Sequence, residues 1–341
     1  MADEDALELG DRFVLASNND AEGYTFTLTE QPEQNTTVIN NNDGTFTFVL
    51  DDDSQARSIG ESDTISVSNS AFNEDAVEVG TVAIAVAEDD GEFELYQDNE
   101  TIDFYVWDAF TIDRSQPTYV LTHGWRVENG QTESNWVDMA DSIRGVAPDA
   151  NVVFMDWGAL GNTPNYAQAA NSVDRVGRRL GKFLVNQNLE ATTTQVIGHS
   201  LGAHVSGIAG DTYDDLTGLS VGTIVGLDPA GPSFEPVLGF GGRGPKQRLD
   251  ATDSDRAIAF HTSRTLGFDN ELADLDLYVN WDDLLQPGQS TFVGNHGYAI
   301  TLFNDLFQGA TFTQPDGSLF NLASLSTLDG RVDVDTTNPV V

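Results

Sequence analysis

Ser200 stands alone between His199 and Leu201, flanked by Gly198 and Gly202, in a stretch that reads TTTQVIGHSLGAHVSGIAG. A serine hydroxyl is a weak nucleophile. It needs a general base beside it and an acid to orient that base. The residues before Gly198 form an apolar run of strand character, and those after Ser200 repeat small and apolar residues at helical spacing. The G-x-S-x-G spacing therefore falls at a strand-to-helix turn, the context that gives it chemical meaning. Glycine on both sides removes Cβ atoms that would clash in so tight a turn, and the helix N-terminus behind the serine favours developing negative charge.

A G-x-S-x-G turn between strand and helix resembles that of the α/β-hydrolases, and the resemblance implies that the acid and then the base follow in the chain. Asp228 ends the apolar run TIVGLD just before a sharp DPAGP turn, so its carboxylate would emerge at the same sheet edge as Ser200. The competing reading is an aspartate that caps a turn. Only two histidines follow Asp228: His261, inside the apolar strand AIAFHTS, and His296, after FVGN in a loop that opens a helix. A base must reach over a surface nucleophile, so His296 is favoured and His261 reads as structural. His199 and His204 precede the acid and read as non-catalytic. For the oxyanion, the amide of Leu201 is one donor. Trp125, in the THGW turn that ends the strand YVL, supplies the second.

These residues need elements to hold them. After residue 90, strands alternate with helices: PTYVLTHGW, NVVFMDW, TTQVIG, VGTIVGLD and AIAFHTS as strands, and NWVDMADSIRGV, NSVDRVGRRLGKFLV, LGAHVSGIAGDTY and HGYAITLFNDLFQ as helices. That alternation predicts an α/β domain over 91–341 with a mostly parallel central sheet. Residues 1–90 differ. RFVLAS, YTFTLTE, TFTFVL, TISVSNSAF and TVAIAVA alternate with period two between Asn/Asp/Gly turns, which predicts a small all-β, sandwich-like accessory domain.

The formal charge is −40, with 55 acidic against 15 basic side chains. Such a surface repels phosphate backbones and excludes nucleic acid as a partner. It suits a protein hydrated in salty water, and is read as that of a secreted protein from a marine or halophilic bacterium. The first residues, MADEDALELGDRF, lack the basic and apolar regions of a secretory signal, so either the chain is a mature form or export uses another signal. No apolar run is long enough to span a bilayer. Cysteine is absent, which removes disulfides, thiolate metal sites and thiol nucleophiles.

In order and spacing, VLTHGW, NVVFMDW, VIGHSLGAHVSGIAG, IVGLDPAGPSF, RLDATDSD and NHGYAITLF resemble the pancreatic-lipase family of α/β-hydrolases, over roughly 92–310. The resemblance implies an α/β-hydrolase fold and hydrolysis of lipid esters by Ser200, Asp228 and His296. It also implies a structural Ca²⁺ at Arg248-Leu249-Asp250-Ala251-Thr252-Asp253, held by Asp250, Asp253 and the Arg248 carbonyl, although Pro245 stands where the family carries an acidic ligand. The family's long lid is not matched: only about fifteen residues separate LDLYVNW from His296. The site should then be open without an interface, and shortened loops go in the family with phospholipase A1 or galactolipase activity. Phe234, Val237, Leu238 and Phe240 are candidates for acyl contacts. The reading is a secreted serine hydrolase of lipid esters, either a triacylglycerol lipase or phospholipase A1-like, with transient contact to a lipid interface. Its N-terminal domain would bind a surface or a glycan. The alternatives are a short-chain carboxylesterase or polyester hydrolase, and an inactive lipase-like binding protein.

Overall fold

The computed structural model describes residues 102–109, 112–127, 130–236 and 242–340 in full, and before residue 98 the backbone of seven strands. The chain divides into two units, 1–96 with 106–112, and 97–105 with 113–341.

In the first unit the strands are β1 (Arg12–Val14), β2 (Tyr24–Leu28), β3 (Thr36–Asn40), β4 (Thr45–Leu50), β5 (Asp63–Ala71), β6 (Ala76–Ile84) and β7 (Phe93–Gln97). Six of them make two antiparallel three-stranded sheets, in the orders β1-β4-β3 and β2-β5-β6. The long β5–β6 pair carries a register shift between Val67 and Ser68. Five of the strands coincide with the period-two segments. The packing of sheet on sheet that a sandwich requires lies outside the described residues.

The second unit is built on a sheet ordered β17-β14-β13-β12-β11-β9-β10-β8. Its strands are β8 (Asp103–Trp107), β9 (Thr118–Thr122), β10 (Asn151–Asp156), β11 (Thr194–His199), β12 (Thr223–Leu227), β13 (Ala257–His261), β14 (Leu275–Val279) and β17 (Gly330–Val334). Two short strands, β15 (Phe312–Thr313) and β16 (Leu319–Phe320), pair apart from it. From β10 to β17 every pairing in the large sheet is parallel. All residues of β10, β13 and β14 are buried, as strands covered on both faces must be.

Five helices connect them: α1 (Ser134–Val146), the one-turn α2 (Gly158–Gly161), α3 (Tyr166–Asn186), α4 (Leu201–Thr217) and α5 (Phe292–Phe307). Helix α3 packs against α4, and α1 against α5. Helix α3 begins where the Asn165 side chain accepts the Ala167 amide, 3.1 Å away, which satisfies one of the free donors of its first turn. It buries Val173, Val176, Leu180, Phe183 and Leu184, the positions its helical spacing picked out. Among the described residues, no helix is long and apolar enough to cross a membrane. Sequence order alternates along the sheet, so β9, β11 and β12 lie side by side in its middle. The turns after these three strands open at one edge, and the site gathers there.

Candidate active site

Ser200 is the residue between β11 and α4, with φ 58° and ψ −120°. A non-glycine residue in that region is strained, and such strain persists only where the surroundings impose it. Here they do. The Ser200 amide donates to the Leu227 carbonyl at 3.1 Å, and its carbonyl accepts the Ala230 amide at 3.2 Å. The neighbouring glycines are required by contact. A Cβ on Gly198 would lie 2.3 Å from the Gly202 carbonyl carbon, and one on Gly202 would lie 2.5 Å from the His123 carbonyl oxygen. Ser200 itself is 7% exposed.

Asp228 follows β12 directly, is fully buried and has φ 46°. One oxygen, Oδ1, accepts the amides of Thr262 at 2.6 Å and Ser263 at 3.0 Å. The other, Oδ2, lies 2.5 Å from Nδ1 of His296. Two fixed amides thus aim the second oxygen at the imidazole. His296 was expected in a loop that opens a helix. It lies instead inside α5, which starts four residues earlier at Phe292, where the Thr291 hydroxyl accepts the Gly294 amide at 2.9 Å. The imidazole is half-buried and lines, with Ser200, a cavity of about 540 Å³. The cavity wall also holds Trp136, Tyr166, Pro232, Leu266, Val293 and Ile300.

The other histidines have structural partners. His261 is fully buried between the Phe268 carbonyl at 2.7 Å and Asp276 at 2.8 Å, stacked on Tyr278. His204 donates from Nε2 to the Ala230 carbonyl and accepts the Leu249 amide on Nδ1. Burial pushes it down to about 3, so it stays neutral. His199 donates from Nε2 to the His296 carbonyl at 3.0 Å, its ring 4.6 Å from the His296 ring. Desolvation first, and the neighbouring His296 second, likewise hold it at about 3.

The THGW turn is locked to the end of β10. His123 is fully buried and stacks on Trp157 at 5.2 Å. Its Nδ1 bonds the Gly124 carbonyl at 2.8 Å, and its Nε2 accepts the Trp157 amide at 3.0 Å beside Asp156. The Trp157 indole donates to the His123 carbonyl at 2.9 Å. Burial alone would raise the Asp156 carboxyl, but the neighbouring His123 and the Gly158 and Gly130 amides it accepts bring it below the usual carboxylate range. His123 entered the sequence reading only as part of the THGW turn, and its contacts with Asp156 and Trp157, over thirty positions on, had no local signal. The Trp125 indole donates to the Thr163 carbonyl at 2.6 Å, which fixes the ring at the cavity wall. Among the described residues, neither the Trp125 nor the Leu201 amide has an acceptor.

One expected substrate contact is corrected. Phe234 does not reach the cavity. It is fully buried, stacked on His204 at 3.9 Å, with the Arg243 guanidinium 4.3 Å over its other face. A ring held between an imidazole and a guanidinium is a packing element. Val237, Leu238 and Phe240 lie outside the described residues.

The expected calcium ligands share one turn, but among the described residues no group of three or more His, Asp or Glu side chains is placed to hold a metal ion; one feature suits a hard cation, the buried Asp253 Oδ1, which has no hydrogen-bond partner. Its other oxygen accepts the Asp250 amide at 2.7 Å. Burial first, and the neighbouring Asp211 and Asp250 carboxylates, push this carboxyl up to about 8. The Arg248 guanidinium stands 3.5 Å from Asp250 Oδ2, so Asp250 already has one cation beside it.

A parallel sheet, a strained serine between strand and helix, and a carboxylate–imidazole pair opening on the same cavity define the class: this unit is an α/β-hydrolase. Residues 83–308 match the sequence model of the family described as Lipase. The chain belongs to that lipase family, and is a lipid-ester hydrolase. It is 30% identical over 233 residues to a phospholipase A1 of Dolichovespula maculata, covering 62% of this chain and 70% of that protein. It is 34% identical over 187 residues to lipoprotein lipase of Bos taurus, covering 52% of this chain and 36% of that one. Among solved structures, an esterase of Thermogutta terrifontis aligns with TM-score 0.34 and 14% identity, over 53% of this chain and 74% of that one.

Proposed function

We propose that the protein hydrolyses glycerolipid esters through an acyl-enzyme, as a triacylglycerol lipase or phospholipase A1-like enzyme. Ser200 Oγ attacks the ester carbonyl carbon while His296 Nε2 takes its proton. Asp228 Oδ2 accepts Nδ1–H, which fixes the tautomer that leaves Nε2 free as a base and steadies the imidazolium once formed. The Leu201 and Trp125 amides receive the oxyanion. The imidazolium then protonates the leaving alcohol, and the alkoxy C–O bond breaks. Water repeats the sequence in reverse roles and releases the fatty acid.

The observation that carries this reading is the Asp228–His296 hydrogen bond, formed at the wall of the cavity that Ser200 also lines. Covalent labelling tests it. A p-nitrophenyl alkylphosphonate should modify Ser200 alone, with stoichiometric loss of esterase activity. Ser200→Ala should neither label nor turn over, with its Tm retained. Labelling elsewhere with activity retained would remove Ser200 from the mechanism.

In the same reading Ca²⁺ is a structural ion on Asp253, Asp250 and the Arg248 carbonyl, where it neutralises the buried carboxylate and takes no part in the chemistry. The acidic surface suits secretion into a saline medium. The N-terminal strands would form a binding module for a surface or glycan.

A further inference from the structure

The substrate cavity carries one arginine, at a position the catalytic reading does not use. Arg126 follows Trp125 directly and lines the cavity with Ser200. Its backbone is left-handed, with φ 62°, and its amide donates to the Gly161 carbonyl at 3.1 Å. A left-handed non-glycine residue has a conformational cost, so the turn directs this side chain at some expense. The guanidinium carbon lies 5.6 Å from the centre of the Trp125 ring, which holds it at the rim beside the oxyanion turn.

The charge balance makes the position informative. Acids outnumber bases 55 to 15. Arg178, Arg248, Arg256, Arg264 and Arg331 each hold an aspartate within 3.5 Å. Arg126 pairs with none among the described residues, and neither do Arg114, Arg144, Arg175 and Arg243, but of these five only Arg126 lines the cavity. The same wall carries one carboxylate, Glu133. A site that places one cation and one anion at the mouth of an ester-cleaving cavity matches a head group with both charges.

We propose that Arg126 receives the phosphate of a zwitterionic glycerophospholipid and thereby selects phospholipid over uncharged glyceride; this rests on the esterase reading above. A guanidinium offers two parallel N–H donors to two phosphate oxygens, a fit no neutral glyceride exploits. A net charge of −40 repels anionic lipid at long range, whereas a zwitterionic head has no net charge to repel, and the arginine acts only at contact.

The test measures kcat/KM for phosphatidylcholine and for diacylglycerol of the same acyl chains, both dispersed in one non-ionic detergent. The readout is their ratio. Arg126→Gln should lower the ratio about 10- to 100-fold, the worth of a charge-assisted hydrogen bond or two. Arg126→Lys should fall between, since it keeps the charge and loses the fork. A fall of less than threefold in Arg126→Gln overturns the proposal, whether both substrates lose together or neither does. Should that variant misfold, inhibition of the wild type decides. Glycerophosphocholine should compete with diacylglycerol more strongly than glycerol does, and equal inhibition by the two overturns the proposal. Loss of diacylglycerol turnover in Ser200→Ala tests the esterase reading separately, and that result stands whatever Arg126 does.

Discussion

Asp228 makes two kinds of bond, and two substitutions separate them. Asp228→Asn keeps an oxygen for the Thr262 and Ser263 amides, which lie 2.6 and 3.0 Å from Oδ1. It replaces Oδ2 with an NH₂ group facing His296 Nδ1, which then must be the acceptor. The proton moves to Nε2 and the base is lost. A tautomer error of this kind costs roughly 10⁴-fold in kcat. Stability should change by about 1 kcal/mol, one hydrogen bond. Asp228→Ala removes the same catalytic bond and also leaves two buried amides without acceptors, at about 1–3 kcal/mol each. Its Tm should therefore fall by at least about 4 °C below that of the asparagine variant. Initial rates on p-nitrophenyl butyrate and thermal unfolding give both numbers. Retention of a tenth or more of wild-type kcat in Asp228→Asn would refute the orienting role. Equal Tm values in the two variants would refute the account of the two amides.

Ser200→Gly should abolish turnover yet raise Tm by a few degrees, because glycine accepts φ 58° without strain worth about 1 kcal/mol; an unchanged or lower Tm would deny that strain. Chelation by EDTA should lower Tm and added Ca²⁺ should restore it, with Asp253→Asn insensitive to both; identical melting curves for the wild type would remove the cation. His204 is held at about 3 against 6.5 when unfolded, so the unfolded chain binds more protons between those values. Stability is then lost as pH falls from about 6.5 toward 3, and His204→Gln should show a shallower fall in Tm over that window than the wild type, parallel curves being the adverse result.

What the sequence showed of this protein was what local chemistry encodes. Ser200 was legible because its turn needs two glycines in a fixed frame, and Asp228 because a lone carboxylate ends an apolar run. The parallel strands in the middle of the sheet are buried on both faces and so read as unbroken apolar segments. The edge strand GRVDV at 330–334 has one buried residue in five, and it carried no such signal. His296 was chosen by elimination, and its setting was misread. The helix begins earlier because Thr291 caps it, and the glycine at 294 disguised the first turn as a loop. Phe234 was misplaced for a different reason. An aromatic beside a lipid site invites the reading of an acyl contact, and only the His204 ring, distant in sequence, and the Arg243 guanidinium decide otherwise.

The conformation of Ser200 has an evolutionary consequence. The hydroxyl is maintained against the backbone's own preference, so any lineage released from the need to cut esters gains robustness the moment that codon drifts to glycine. Descendants that keep this scaffold for some other purpose should therefore lose this serine early, while the crowded glycines at 198 and 202, demanded by neighbouring carbonyls, persist as a record of the trade once practised there.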